Sequence, residues 1–171
     1  MVREPDNEAR ALLAELPHGA SDREEAAIFA DSRERLCTNV IAPSLERGQI
    51  VFSDRSINSS IVMQGMVGRL GVEAIETINS PYLKLEKDVR SRFPVLTVFL
   101  HAPFEELLSR REQRGDSDRF EDRPESYHRN VYDAYSQRAE AMEWAIIPAD
   151  SKAETWMQML RILHEIESVA T

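Results

Sequence analysis

The chain has 171 residues, 42% hydrophobic and 30% charged, which suits one soluble globular domain with a true core. A formal net charge of -9 argues against a broad nucleic-acid surface or an anionic membrane as partner, because phosphates would be repelled overall, yet local basic clusters can still hold a small phosphate ligand. Cys37 is the only cysteine, which excludes an intramolecular disulfide and a zinc cluster and suits a reducing compartment, and no stretch reads as a signal peptide or a membrane span.

In chain order, Val2 reads as the end of a strand, and Arg3, Glu4 and Pro5 as a rigid charged turn. Asp6 to Leu16 is a predicted short helix carrying Arg10, closed by Pro17 and Gly19. Ser21 and Glu24 form a capping box that opens a second helix, expected to run to about Glu46, bent at Pro43 and stopped at Gly48. On it Phe29 and Arg33 stand four apart and share a face. They can present a ring and a guanidinium to one ligand, the alternative being that Phe29 is simply core. Gln49 to Phe52 reads as a buried parallel strand, so the SDRSINSSIVMQG stretch after it faces the end of a sheet where ligands bind. There Asp54 can hold a hydrated divalent cation and Arg55 can grip a phosphate through two hydrogen bonds, while Ser59, Ser60 and Gln64 suit the edge of a base. The alternative is that Asp54 caps the following helix and pairs with Arg55.

Gly65, Gly68 and Gly71 then punctuate an expected loop, followed by helical patterns from Val72 to Asn79 and from Tyr82 to Arg92. Val95 to Leu100 is the clearest strand, followed by His101 in the same post-strand position and expected to be hydrogen-bonded rather than a metal ligand. Phe104 to Arg114 is a helix ending in an arginine cluster, Arg110, Arg111, Arg114, Arg119 and Arg123, which reads as a flap that closes on phosphates. A long helix from Pro124 to about Met142, a strand from Trp144 to Pro148 and a helix from Ala153 to Val169 complete an α/β alternation with a mostly parallel sheet.

Taken together, REP at Arg3 to Pro5, the FxxxR of Phe29 and Arg33, PSLERG before the strand, DRxxxSSxxxQG from Asp54, FPxLTxxL and the RxxxRxxxDRxE of Arg110 to Glu121 resemble thymidylate kinase in order and spacing. The resemblance implies a single domain over residues 1–171, with a P-loop-kinase-like parallel sheet layered between helices on both faces and a lid at about 110–124. It implies transfer of the γ-phosphate of ATP to dTMP, with Mg2+ as cofactor, no nucleic-acid or membrane partner, a cytoplasmic location and a homodimer. By similarity, Phe29 stacks on thymine, and Arg33, Ser60 and Gln64 line the base pocket. Arg55, Arg10 and the Arg3-Glu4-Pro5 turn serve the acceptor, Asp54 sits near the magnesium, and Asp54, Arg55, Arg110 and Arg114 act in catalysis, with Arg110, Arg114 and Arg119 on the donor.

The departures are as specific. No GxxxxGK occurs in the 171 residues, so the family's first strand and phosphate loop are expected to be absent, and with them the main cradle for the β- and γ-phosphates. Met63, Val95 and His101 replace a customary tyrosine and two aspartates. The expectation is a chain that binds dTMP without ATP-dependent turnover. The alternatives are a fragment of an active kinase, a non-catalytic nucleotide-binding relic or a protein-interaction module.

Overall fold

The computed structural model describes residues 1–17, 19–114, 120 and 122–169. Their contacts gather into two units, Met1–Phe93 and Pro94–Thr171.

In the first unit Val2–Arg3 (β1) runs parallel to Ser53–Asp54 (β2), with the N–H of Val2 bonded to the Phe52 carbonyl and that of Glu4 to Asp54. The strand expected at Gln49–Phe52 is therefore displaced to residues 53–54. The physical reason is that ladder pairing begins only where β1 comes alongside, and Ile50 stays exposed. Asn7–Glu15 (α1) starts at Asp6, whose carboxylate accepts the Ala9 N–H at 2.9 Å and the Arg35 guanidinium at 3.1 Å. Burial pushes the Asp6 carboxyl up, but the Ala9 N–H and Arg35 outweigh it and hold the group below its ordinary 3.8. A lowered folded pKa means that this stabilisation is present above 3.8 and is lost as the pH falls through the folded value. Asp6→Ala is expected to cost about 1–2 kcal/mol in urea unfolding near neutral pH, with the gap to the parent closing in acid.

The capping box forms as expected, Ser21 Oγ accepting the Glu24 N–H and the Glu24 carboxylate accepting the Ser21 N–H, and opens Asp22–Leu36 (α2). Pro43 does not end this helix. It widens into a π-helical turn over Cys37–Ile41, closed by the Ala42 N–H on the Cys37 carbonyl, and resumes as Ala42–Glu46 (α3). The wider turn relieves the crowding that the proline ring would impose on the carbonyl four residues back. Gly48, at a φ of 73°, reverses the chain.

Ile57–Ser60 (α4) also runs on as a π-helical stretch, Ile61–Val67, so Gly65 is helical where a loop was expected. Gly68 follows it because nothing larger fits: a Cβ there would lie 2.4 Å from the Gln64 carbonyl oxygen and 2.8 Å from Asp22 Oδ2. Val72–Ile78 (α5) and Ser80–Arg92 (α6) meet at Asn79, with Pro81 tolerated in the first turn of α6. Ala26, Cys37, Ile57, Ile61, Ile75, Tyr82 and Val89 form the core they enclose.

In the second unit Val98–His101 (β3) pairs in parallel with Ala145–Pro148 (β4), and Phe104–Arg114 (α7), Glu125–Ala141 (α8) and Lys152–Val169 (α9) alternate with them. The expected strand start at Val95 moves to Val98, where Ala145 comes alongside, and Val95 and Leu96 stay exposed. His101 Nε2 lies 2.9 Å from the Tyr132 hydroxyl, the hydrogen-bonded role expected of it. No helix among the described residues is long and apolar enough to cross a membrane.

Candidate functional site

Glu25, Phe29 and Arg33 recur every four residues along α2, which puts them on one face. Across from them Ser60 and Gln64 are also four apart. Arg33 Nη2 donates to Ser60 Oγ at 3.2 Å and Gln64 Nε2 to Glu25 Oε2 at 3.3 Å, so the two helical stretches pair in opposite directions. Half-buried Phe29 stands between these two bridges along α2.

Arg33 is 1% exposed, and its fork is almost fully used. Nε donates to Glu4 Oε2 at 2.8 Å, Nη1 to Asn79 Oδ1, and Nη2 to Ser60 Oγ and at 3.5 Å to the Ser56 carbonyl. The guanidinium also lies 5.7 Å from the centre of the Tyr82 ring. Four of its five N–H groups are thus committed within the protein. Arg33 braces the wall that carries Ser60 and Phe29. Glu4, from the charged turn, is the counter-ion in this buried system. Burial pushes its carboxyl above 4.5, with the Arg33 charge and hydrogen bond pulling the other way. Burial likewise pushes the Tyr82 hydroxyl up, aided by Glu86 and Glu4, and keeps it neutral. Pro5 accepts the Arg10 Nε at 2.9 Å through its carbonyl, which sets Arg10 on α1 beside the turn.

At the end of β2 the geometry is open. Arg55 is exposed, holds a left-handed φ of 78°, and makes no side-chain hydrogen bond among the described residues. It is near enough to Glu4 to act on that group's titration. Asp54, 53% exposed, pairs with Arg3 Nε at 3.3 Å rather than with Arg55, and the cap of α4 is Ser56, whose hydroxyl accepts the Asn58 N–H. Ser53 Oγ donates to the Arg55 carbonyl at 2.9 Å and supports the tight bend. A non-glycine residue in this region is strained by its Cβ and persists where the surroundings impose it, a pattern concentrated at functional sites.

In the second unit Arg110 acts as a brace, its Nη2 donating to Glu106 and to the carbonyls of Ala149 and Asp150 and so tying α7 to the residues after β4. Arg114 ends α7 and is exposed, and Arg119 lies outside the described residues. Sequence reasoning missed Glu25, Asn79 and Tyr82. For Glu25 the signal was present, since it stands four residues before Phe29 on the face already singled out. For Asn79 and Tyr82 there was none, because their partner Arg33 is at least 46 residues away in the chain.

The sequence profile described as thymidylate kinase matches residues 4–160 of the chain. The thymidylate kinase of Limosilactobacillus fermentum is 30% identical over 164 residues, covering 94% of this chain and 72% of that protein. That of Symbiobacterium thermophilum is 33% identical over 158 residues, 91% and 71% of the two chains, and that of Chlamydia felis 34% over 123 residues, 72% and 58%. The chain therefore spans between about half and three quarters of the length of its curated relatives. Among solved structures, the crystal structure of thymidylate kinase from Ehrlichia chaffeensis superposes with a TM-score of 0.64 at 20% identity, over 95% of this chain and 78% of that one, and the likeness establishes the α/β fold.

Proposed function

The chain belongs to the thymidylate kinase family, and from that premise we propose that its first unit is the acceptor site of a nucleoside monophosphate kinase, binding dTMP for transfer of the γ-phosphate of ATP. The observation that carries the reading is Arg55, an exposed guanidinium held in a left-handed conformation at the end of a parallel strand with its donors uncommitted among the described residues. A planar fork so placed matches the oxygens of a phosphate monoester through paired, charge-assisted hydrogen bonds. Arg10 stands behind the turn with Nε satisfied by Pro5 and its two terminal nitrogens without a hydrogen bond among the described residues, a second cation for the same dianion.

In this reading the base lies against Phe29, with Ser60 and Gln64 at its edge, and Arg33 keeps those elements in place from beneath. The chain's residues fix the acceptor by both ends, ring and phosphate, and so align a phosphoryl oxygen for attack. Alignment and charge neutralisation supply most of the rate in phosphoryl transfer. Asp54 fits a magnesium ion: it is an exposed oxygen donor beside the proposed phosphate site, and magnesium is held by one or two carboxylates with water and nucleotide oxygens rather than by an all-protein cage. When bound with ATP the ion neutralises charge on the transferring phosphoryl group, and Asp54 would hold its hydration shell. Arg114 and Arg119, from the arginine-rich segment, are assigned to the donor phosphates.

Titration calorimetry tests the acceptor assignment. The expected result is saturable dTMP binding at least about tenfold tighter than that of thymidine, which lacks the phosphate. Absence of saturable dTMP binding, or equal affinity for thymidine, would overturn it.

A further inference from the structure

Gln64 is 2% exposed and Glu25 1%, yet the amide between them is only half used. Nε2 donates to Glu25 Oε2 at 3.3 Å, while Gln64 Oε1 is buried with no hydrogen-bond partner among the described residues. A carboxylate can only accept, so Glu25 decides which end of the amide faces it and leaves the carbonyl oxygen at the other end. Such an oxygen is costly to bury unsatisfied, and its missing partner must be a donor. The two helical stretches are also joined beyond this pair. Asp22, three residues before Glu25 on α2, accepts the Arg69 N–H at 3.2 Å and abuts Gly68, where no side chain fits.

We infer that Glu25 is a positioning residue: its carboxylate locks the Gln64 amide with the carbonyl oxygen toward an N–H on the edge of the bound base, so that the preference for a uracil-type ring, which the dTMP reading already implies, depends on Glu25. This deepens the acceptor-site reading and rests on it. Uracil and thymine carry an N–H at ring position 3, whereas cytosine carries a bare nitrogen acceptor there. An amide oxygen facing that nitrogen sets two lone pairs against each other and leaves both unsatisfied. The selectivity resides in the orientation of Gln64, and the orientation resides in Glu25.

The test is calorimetric titration of dTMP, dUMP and dCMP into the parent chain, Glu25→Gln and Gln64→Met. Glu25→Gln keeps the size of the side chain, but its amide can either donate or accept, so it frees the Gln64 amide to turn over. The parent is expected to favour dTMP and dUMP over dCMP by at least about thirtyfold, and Glu25→Gln to shrink that ratio about tenfold or more. Gln64→Met removes the acceptor while keeping the volume and should shrink the ratio as far, so the inference stays testable if Glu25→Gln fails to fold. A merely structural Glu25 would weaken all three nucleotides alike. An unchanged ratio in either folded variant overturns the inference, and so does a parent chain that binds dCMP as tightly as dTMP. Failure of the parent to bind dTMP at all instead sinks the acceptor-site reading beneath it.

Discussion

Arg33→Met is expected to lower folding stability by about 3–5 kcal/mol, although methionine nearly matches the aliphatic part of the side chain it replaces. The loss does not come from volume. Removing the guanidinium strands the Glu4 carboxylate, Asn79 Oδ1 and Ser60 Oγ in the interior, three groups whose partner is the same fork. The pair stabilises the fold chiefly by leaving nothing unpaired, since two buried charges lose on desolvation much of what they gain by attraction. Glu4→Gln combined with Arg33→Met should therefore be less damaging than Arg33→Met alone, because the stranded charge is gone. The pH dependence has a definite sign. Burial already raises the Glu4 pKa, and loss of the neighbouring cation raises it further. A raised carboxyl favours the folded state at low pH and loses that contribution as the pH rises through the folded value. The deficit of Arg33→Met should thus widen between about pH 5 and about pH 8. Urea unfolding at the two pH values measures it, and a deficit below about 1 kcal/mol, or one that narrows with rising pH, would contradict the buried-hub description.

Arg55→Gly should have the opposite profile, with affinity falling while stability holds or rises. Glycine accepts a φ of 78° without strain, which a side chain bearing a Cβ does not, and the Arg55 guanidinium makes no hydrogen bond that its removal would break among the described residues. The strain relieved is partly offset by the greater freedom of glycine in the unfolded chain, so stability is expected to change by between zero and about +1 kcal/mol. Two charge-assisted hydrogen bonds to a phosphate are worth about 2–4 kcal/mol, so dTMP should bind about 30- to 1,000-fold more weakly. Calorimetry and thermal unfolding on one preparation decide it. Weaker binding with unchanged or improved stability is the signature of a residue kept for ligand rather than for fold. Arg55→Gly with undiminished dTMP affinity would remove the phosphate-binding role. Arg33 and Arg55 thus separate the two uses of a guanidinium in one unit, one enclosed by fixed acceptors and the other open at a strand end.

Local chemistry made much of this legible in advance. The capping box at Ser21, the end of the helix at Gly48, the hydrogen-bonded character of His101 and the α/β alternation follow from interactions within a few residues or from periodicity, and each is in the structure. The sites of failure share a cause. Both strands that were misplaced by a few residues are short, and their extents are set by where a distant partner comes alongside, a property the strand's own residues do not encode. Gly65 reads as a loop signal because glycine is a poor helix former, yet it remains helical where its missing side chain lets Ile75 approach.

By itself the sequence determined the family, the order of helices and strands, and the face of α2 on which Glu25, Phe29 and Arg33 recur. Only the tertiary structure decided what each polar group on that face does. Arg33 and Arg55 carry the same side chain, and the difference between them is burial and the number of acceptors within reach, quantities set by segments far apart in the chain that folding brings around one arginine and away from the other.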